Sequence, residues 1–235
     1  MLTHLSLFSG IGGLDIAAEA AGFTTVGQCE WADYPTQILE QHWPDVPRWR
    51  DIRTLTKESF YEKTGLRTVD VISGGFPCQP FSISGKRRGQ EDDRYLWPEM
   101  LRVIRELRPS WVLGENVPGI VNLALDTVLA DLEAEGYESQ AFLVPACGVD
   151  APQRRKRVAI LAYSESGRVK KHITGGKETW RFSGSNRWPS EPGVGRVAYG
   201  VPNRVDRLKC LGNAVVPQQF FPFFSAIAEI ERNRS

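Results

Sequence analysis

From Leu2 to Ser164 the chain alternates strand-length apolar runs with amphipathic stretches, and this alternation restricts the fold more than any other feature. "LTHLSLF" reads as a buried strand, "SGIGG" as a tight turn and "LDIAAEAAG" as a helix that ends at Gly22. "FTTVGQCE" and "ADYPTQILEQHW" repeat the pair. "TVDVISGG" is a further strand, "LWPEMLRVIRELRP" a helix stopped by Pro109, "SWVLGENV" a strand, and "IVNLALDTVLADLEAEG" one helix capped by Gly136. "YESQAFLVPA" and "KRVAILAYS" close the series as strands. Strands alternating with helices predict an α/β fold, a doubly wound, mostly parallel sheet covered on both faces. The last two strands have no helix between them, which predicts an antiparallel strand at one edge.

The texture changes after residue 163. Residues 164–203 are rich in Gly, Ser, Arg and Lys, with Trp180 and Trp188 interspersed, and show neither helical nor strand periodicity. They read as a small irregular subdomain. Residues 204–235 end in a helix expected to pack back on the first part. Three segments follow: 1–163, 164–203 and 204–235.

Net charge is +1, so the whole molecule is no polycation. "GKRRGQ", "QRRKR" and "GRVKKH" are local basic clusters that can still hold a polyanion on one face. The four cysteines, Cys29, Cys78, Cys147 and Cys210, form no CxxC pair, which speaks against a zinc site. The N-terminus has no signal-peptide pattern, so four free thiols in a reducing compartment are expected. No apolar run is long enough to cross a bilayer.

Several chemically capable residues fall at expected strand ends. The turn with Gly10, Gly12 and Gly13 lets backbone approach a ligand at a helix N-terminus, although it is not GxGxxG. Glu30 ends the second strand, where an acid can bind ribose hydroxyls, and Trp31 beside it can stack on a purine. Asp51 adds a carboxylate at a plausible third strand end. Together these describe an adenosine pocket at the carboxyl edge of the sheet. Cys78 sits on a loop between Pro77 and Pro80, an unusual place for a structural thiol. Arg155 and Arg157 could lower its pKa. Glu115 ends another strand, as a cap or as an acid poised for proton transfer.

These motifs, in the order "FSGIGG", "EW", "DI", "GGFPCQPFSISGKRRG", "ENV", "QRRKR" and "GNAVVP", resemble the cytosine-5 DNA methyltransferase family over nearly the whole chain. The resemblance implies a Rossmann-like, S-adenosylmethionine-dependent methyltransferase fold. It implies 1–163 as the catalytic, donor-binding domain and 164–203 as a shortened target-recognition region. Phe8, Glu30, Trp31, Asp51, Ile52, Asn213 and Val215 match donor-binding positions, with Gly10, Gly12, Gly13 and Pro77 completing that set. Cys78 matches the nucleophile, Glu115 the acid, and Arg155 and Arg157 the arginines flanking the target base. Ser84, Lys86, Arg87, Arg88, Gln153 and Arg204 are expected at DNA.

In that role the thiolate adds to carbon 6 of cytosine and makes carbon 5 nucleophilic. Glu115, if protonated, hydrogen-bonds ring nitrogen 3, and burial would supply the raised pKa. The base must leave the duplex for this attack. The implied partner is double-stranded DNA, with a cognate restriction endonuclease, for a cytoplasmic, monomeric prokaryotic or phage enzyme. The short recognition region departs from the family and implies a reduced DNA grip, a relaxed site or a helper. Two rivals stand beside this reading: a tRNA cytosine-5 methyltransferase of the same fold, and a non-catalytic S-adenosylmethionine-binding accessory protein. "GGFPCQPFS" favours DNA over the first, and the presence of both Cys78 and Glu115 disfavours the second.

Overall fold

The computed structural model describes residues 1–77, 95–164 and 204–234, with the side chains of Arg204 and Leu208 outside the description. β1 (Leu2–Leu7), α1 (Gly13–Ala20), β2 (Phe23–Cys29), α2 (Asp33–His42) and β3 (Arg48–Trp49) open the chain. α3 (Lys57–Thr64), β4 (Val71–Gly74), α4 (Trp97–Leu107), β5 (Trp111–Asn116), α5 (Ile120–Leu123) and α6 (Leu125–Ala134) follow. β6 (Tyr137–Pro145), β7 (Lys156–Ser164), α7 (Arg204–Asn213) and α8 (Pro217–Arg232) complete it.

The strands form one sheet in the order β3-β2-β1-β4-β5-β7-β6. The first five pair in parallel, and β7 runs antiparallel to both β5 and β6. The order reverses at β1, so the sheet is doubly wound, as expected. The inverted strand, however, is not at the edge. β6 reaches the edge by the α5–α6 crossover, and the connection over residues 146–155, with one 3-10 turn and no crossover helix, returns β7 antiparallel. β7 therefore slots between β5 and β6.

Strand alternation divides the core between the two faces. Ile72 of β4 and Val112 of β5 join Phe60, Trp97, Ile104 and Val128 on one side. Val71, Trp111 and Leu113 join Leu14, Ala17, Phe220, Phe224 and Ile227 on the other. β4 and β5 are buried throughout, as central parallel strands require. The second face is closed by α1 and α8, the first and last helices. Phe224 meets His4 and Phe23 edge-on there, with ring centroids 5.4 and 5.7 Å apart.

Three local departures have simple causes. The single helix expected from residue 120 breaks at Ala124, whose φ of −151° leaves helical space, giving α5 and α6. α3 was not anticipated, yet Thr56 and Ser59 cap its start reciprocally and Gly65 ends it in the left-handed region. α7 was read only as a lead-in to the last helix.

Two buried polar clusters pin the early strands. His4 lies between Thr25 and Ser73, and burial pulls its pKa down to about 3. Asp15 on α1 accepts from Ser6 Oγ at 2.9 Å and Gln28 Nε2 at 2.8 Å, and burial pushes its pKa up to about 6. Arg48 Nε donates in turn to Gln28 Oε1.

Candidate functional site

The carboxyl ends of β1, β2, β4 and β5 open on one cavity of about 1260 Å³, closed on its far side by α7 and the loop after it. This is where a doubly wound sheet offers its helix N-termini and loops to a ligand.

At one end lies the β1–α1 turn. Phe8, Gly10 and Gly12 all have positive φ, of 52°, 55° and 86°. Glycine adopts this region without strain, whereas Phe8 costs on the order of 1–3 kcal/mol. Glu30 fastens the turn: Gly10 N donates to its Oε2 and Ala32 N to its Oε1, each at 2.8 Å. Phe8, Gly10, Gly13, Glu30, Trp31, Asp51, Ile52, Pro77, Asn213 and Val215 all line the cavity. Gly12 does not. A Cβ there would sit 2.5 Å from the Trp43 ring, so this glycine serves packing against α2 and its end. Asp51 also caps the turn at Ile52–Thr54 by accepting from Arg53 N at 2.9 Å. Trp31 stands 71% exposed on the rim.

Arg50, absent from the sequence reading, holds the Glu30 loop from beneath. Its Nε donates to Glu30 O, and its Nη2 to Trp31 O and to Asp33. α7 contributes Asp206, Lys209 and Cys210 to the opposite wall. These were missed because a polar helix of this kind carries no apolar period to reveal which face it presents.

At the other end, Gly74 and Gly75 show why glycines precede "FPC". A Cβ on Gly74 would lie 2.9 Å from Leu7 O, and one on Gly75 would lie 2.7 Å from Glu115 Oε2. The acid at the end of β5 is thus packed directly against the backbone leading to Cys78. Asn116 Nδ2 donates to Phe76 O at 2.9 Å and ties the two loops together, a role the "ENV" tripeptide could have signalled.

Glu115 and Arg157 are both 11% exposed, with Arg157 Nε 2.7 Å from Glu115 Oε1. The Nε–H is not aimed at that oxygen, so the contact is a charge pairing rather than a well-formed hydrogen bond. Burial raises the Glu115 pKa above the ordinary range, and the Arg157 and Arg155 charges oppose this without cancelling it. A carboxyl at this site holds its proton more readily than one in water.

Arg155 lines no part of the cavity. Its Nη2 donates to Gly212 O and Ala214 O, both at 2.7 Å. Gln153 is exposed on the loop between β6 and β7. Cys78, Ser84, Lys86, Arg87 and Arg88 lie outside the described residues, as do 165–203 of the expected recognition region. Arg204 opens α7, and its side chain is outside the description.

Of the described thiols, Cys29 and Cys210 border the cavity but are poor nucleophiles. Burial, then Glu30 and Asp51, push Cys29 up to about 12, and burial raises Cys210. Among the described residues no group of His, Cys, Asp and Glu could hold a metal ion. No helix among them is long and apolar enough to cross a membrane.

Comparison with known proteins matches this arrangement to one group. The profile of the C-5 cytosine-specific DNA methylases covers residues 2–190. The Type II methyltransferase M.AquIA of Picosynechococcus sp. is 35% identical over 173 residues, spanning 67% of this chain and 70% of the relative. M.HhaI of Haemophilus parahaemolyticus is 30% identical over 167 residues, 69% of this chain and 49% of its own length. M.HgiCII of Herpetosiphon aurantiacus is 32% identical over 169 residues, and the chain spans only 37% of its length. Among solved structures, a candidate DNA modification methyltransferase encoded within an E. coli prophage superimposes with a TM-score of 0.61 at 27% identity, covering 71% of this chain and 47% of that one. Spodoptera frugiperda DNMT2 shares the fold, with a TM-score of 0.62 at 23% identity over 76% of this chain and 54% of its own.

Proposed function

We propose, from the premise that this chain belongs to the C-5 cytosine-specific DNA methylase family, that it methylates carbon 5 of cytosine in double-stranded DNA with S-adenosylmethionine as donor. The observation that carries this reading is the cavity itself: the glycine turn with Glu30 and a buried Glu115, whose pKa burial raises, open on the same space.

The residues present fit the donor. The Gly10–Gly13 turn brings the N-terminus of α1 to the cavity, and Gly13 lets Val215 O approach to within 2.7 Å of where a Cβ would stand. Glu30 keeps acceptor capacity beside its two backbone partners and would take ribose hydroxyls, while Phe8, Trp31 and Ile52 offer apolar surface to the adenine. Asp51, Pro77 and Asn213 complete the lining. The bound donor supplies an electrophilic methyl on a sulfonium.

The chain's own residues do the rest. The Cys78 thiolate adds to carbon 6 of an extruded cytosine, and the electron pair released along the ring makes carbon 5 nucleophilic. Glu115, protonated, donates to ring nitrogen 3 as negative charge develops there. Arg157 offers its guanidinium to the base oxygen in the space it shares with Glu115. Carbon 5 would take the methyl that the donor supplies, whose sulfur would leave as a neutral thioether. Water would then accept the carbon 5 proton, and expulsion of the thiolate with return of the nitrogen 3 proton to Glu115 restores the aromatic ring. Ser84, Lys86, Arg87, Arg88, Gln153 and Arg204 are proposed to meet the DNA, the cations through phosphate. The Type II designation of the curated relatives supports a partner restriction endonuclease of the same specificity; a cytoplasmic location and a monomeric state are proposed beside it.

A duplex carrying 5-fluorocytosine in varied contexts tests the reading, because fluorine at carbon 5 cannot leave as a cation. Donor-dependent covalent trapping, lost in Cys78→Ser, is expected. Methyl transfer to tRNA with no trapping on duplex DNA would replace the DNA reading with the RNA one.

A further inference from the structure

We infer that Arg155 is a positioning residue for the donor cavity, setting the wall built by the end of α7 and the loop after it. This rests on the proposed donor-binding role of that cavity and adds to it a fastening that its lining residues alone do not provide.

Three observations converge. First, α7 ends at Asn213, and a helix end leaves backbone carbonyls without intrahelical partners. Arg155 Nη2 takes two carbonyls of that region, Gly212 O and Ala214 O, at 2.7 Å each. A cation is also the favoured partner for a helix C-terminus. Second, the stretch so held lines the cavity, through Ala214 itself and its neighbours Asn213 and Val215. Val215 O is the atom packed against Gly13 at the start of α1. Third, the guanidinium reaches out from a fixed base. Arg155 O accepts from Ala146 N at 2.9 Å and from Gln219 Nε2 at 3.0 Å, and Gln219 on α8 also donates to Val144 O. α8 and the loop before it are thus tied to the β6–β7 turn at both ends, by Gln219 and by Arg155.

Two residues further along the chain, Arg157 pairs with Glu115. Arg155, just before β7, and Arg157 within it therefore serve different walls of the cavity, although the Arg155 charge still reaches Glu115. Arg157 holds the acid, and Arg155 holds the donor wall. The sequence reading has both arginines flanking the base, and the carbonyl contacts give Arg155 a role on the wall as well.

The test uses the full chain with Arg155→Gln and Arg155→Lys. Titration calorimetry with S-adenosylmethionine should show the Gln variant weaker by on the order of ten-fold or more, since the two carbonyl acceptors lose a charged donor. The Lys variant should fall between it and the parent, because a single ammonium reproduces the charge but not the fork. Hydrogen exchange without ligand should speed up at the amides of 212–216 in the Gln variant and leave β4 and β5 unchanged. Donor affinity within two-fold of the parent in both variants, with exchange at 212–216 unaltered, would overturn the inference. If Arg155→Gln fails to fold, Arg155→Lys decides by the same two measurements. A parent chain that binds no S-adenosylmethionine would sink the functional reading, while the ligand-free exchange would still decide the role of Arg155.

Discussion

Asp15 and Glu115 are two buried carboxyl groups whose pKa values burial raises, and only one of them faces a ligand. Asp15 lies in the layer between α1 and the sheet, held by two neutral donors, Ser6 and Gln28, and lines no cavity. Glu115 lies at a strand end, lines the cavity, and faces a cation whose N–H is poorly directed at it. A raised pKa therefore does not by itself mark a catalytic acid. What separates the two is access and an unsettled partner. Asp15 has its hydrogen bonds met within the fold, whereas Arg157 Nε has no hydrogen-bond partner and shares the cavity with Glu115.

The comparison breaks most plainly in the variants. Glu115→Gln should slow methyl transfer by on the order of 10²–10³-fold, the usual effect of losing an acid or a charge-stabilising donor. Its donor affinity by calorimetry should stay within two-fold of the parent. An equal loss of donor binding would make Glu115 structural, like Asp15.

Asp15→Asn should instead change the pH dependence of stability and spare the rate. The folded pKa of about 6 lies above the ordinary 3.8, so the Asp15 contribution is complete below pH 3.8 and is lost as pH rises through 6. That loss amounts to about 3 kcal/mol. His4 works with the opposite sign: its folded pKa of about 3 means its contribution is present above 6.5 and fades as pH falls. The difference between parent and variant isolates Asp15, so denaturant unfolding at pH 4 and pH 7 should show the variant gaining on the parent at the higher pH. A pH-independent difference would mean the acid is not buried as described.

Gly75→Ala sharpens the contrast from the backbone side. The new methyl would lie 2.7 Å from Glu115 Oε2, so the acid must shift. Stability should fall by about 1–3 kcal/mol, with the rate falling more than donor affinity. The gentlest effect belongs to the donor end. Trp31→Ala should weaken S-adenosylmethionine binding by about 1–2 kcal/mol if the exposed indole stacks on adenine. An unchanged dissociation constant would assign the indole to another partner.

Much of this was legible in residue order, and the failures have definable causes. β1, β2, β4 and β5 announced themselves as apolar runs between turn residues, whereas β3 is two residues long and showed only as a plausible strand end near Asp51. Glu30 and Glu115 were identifiable because strand ends on a parallel sheet face one edge. The place of β7 was not, since strand order depends on pairings that side-chain pattern does not encode. α3 buries Phe60 alone, and α7 is mostly polar, so neither shows a clear apolar stripe. The work of Arg155 was hidden for another reason. Its partners are main-chain oxygens 57 and 59 residues away, and a carbonyl leaves no mark on residue identity. Gly12 and Gly75 show the same blind spot: one glycine accommodates Trp43 and the other an acid, and nothing in the letter distinguishes them.

The packing of α8 on α1 also has a consequence in time. A chain leaving the ribosome exposes the apolar side of its first helix long before the last helix exists to cover it, and such long-range closure is slow and prone to aggregation. β5 and β7, carrying Glu115 and Arg157, emerge while that face is still bare. The wall that Asn213, Ala214 and Val215 add to the cavity can be completed only afterwards, so the acid and its arginine should be assembled before that cavity is closed.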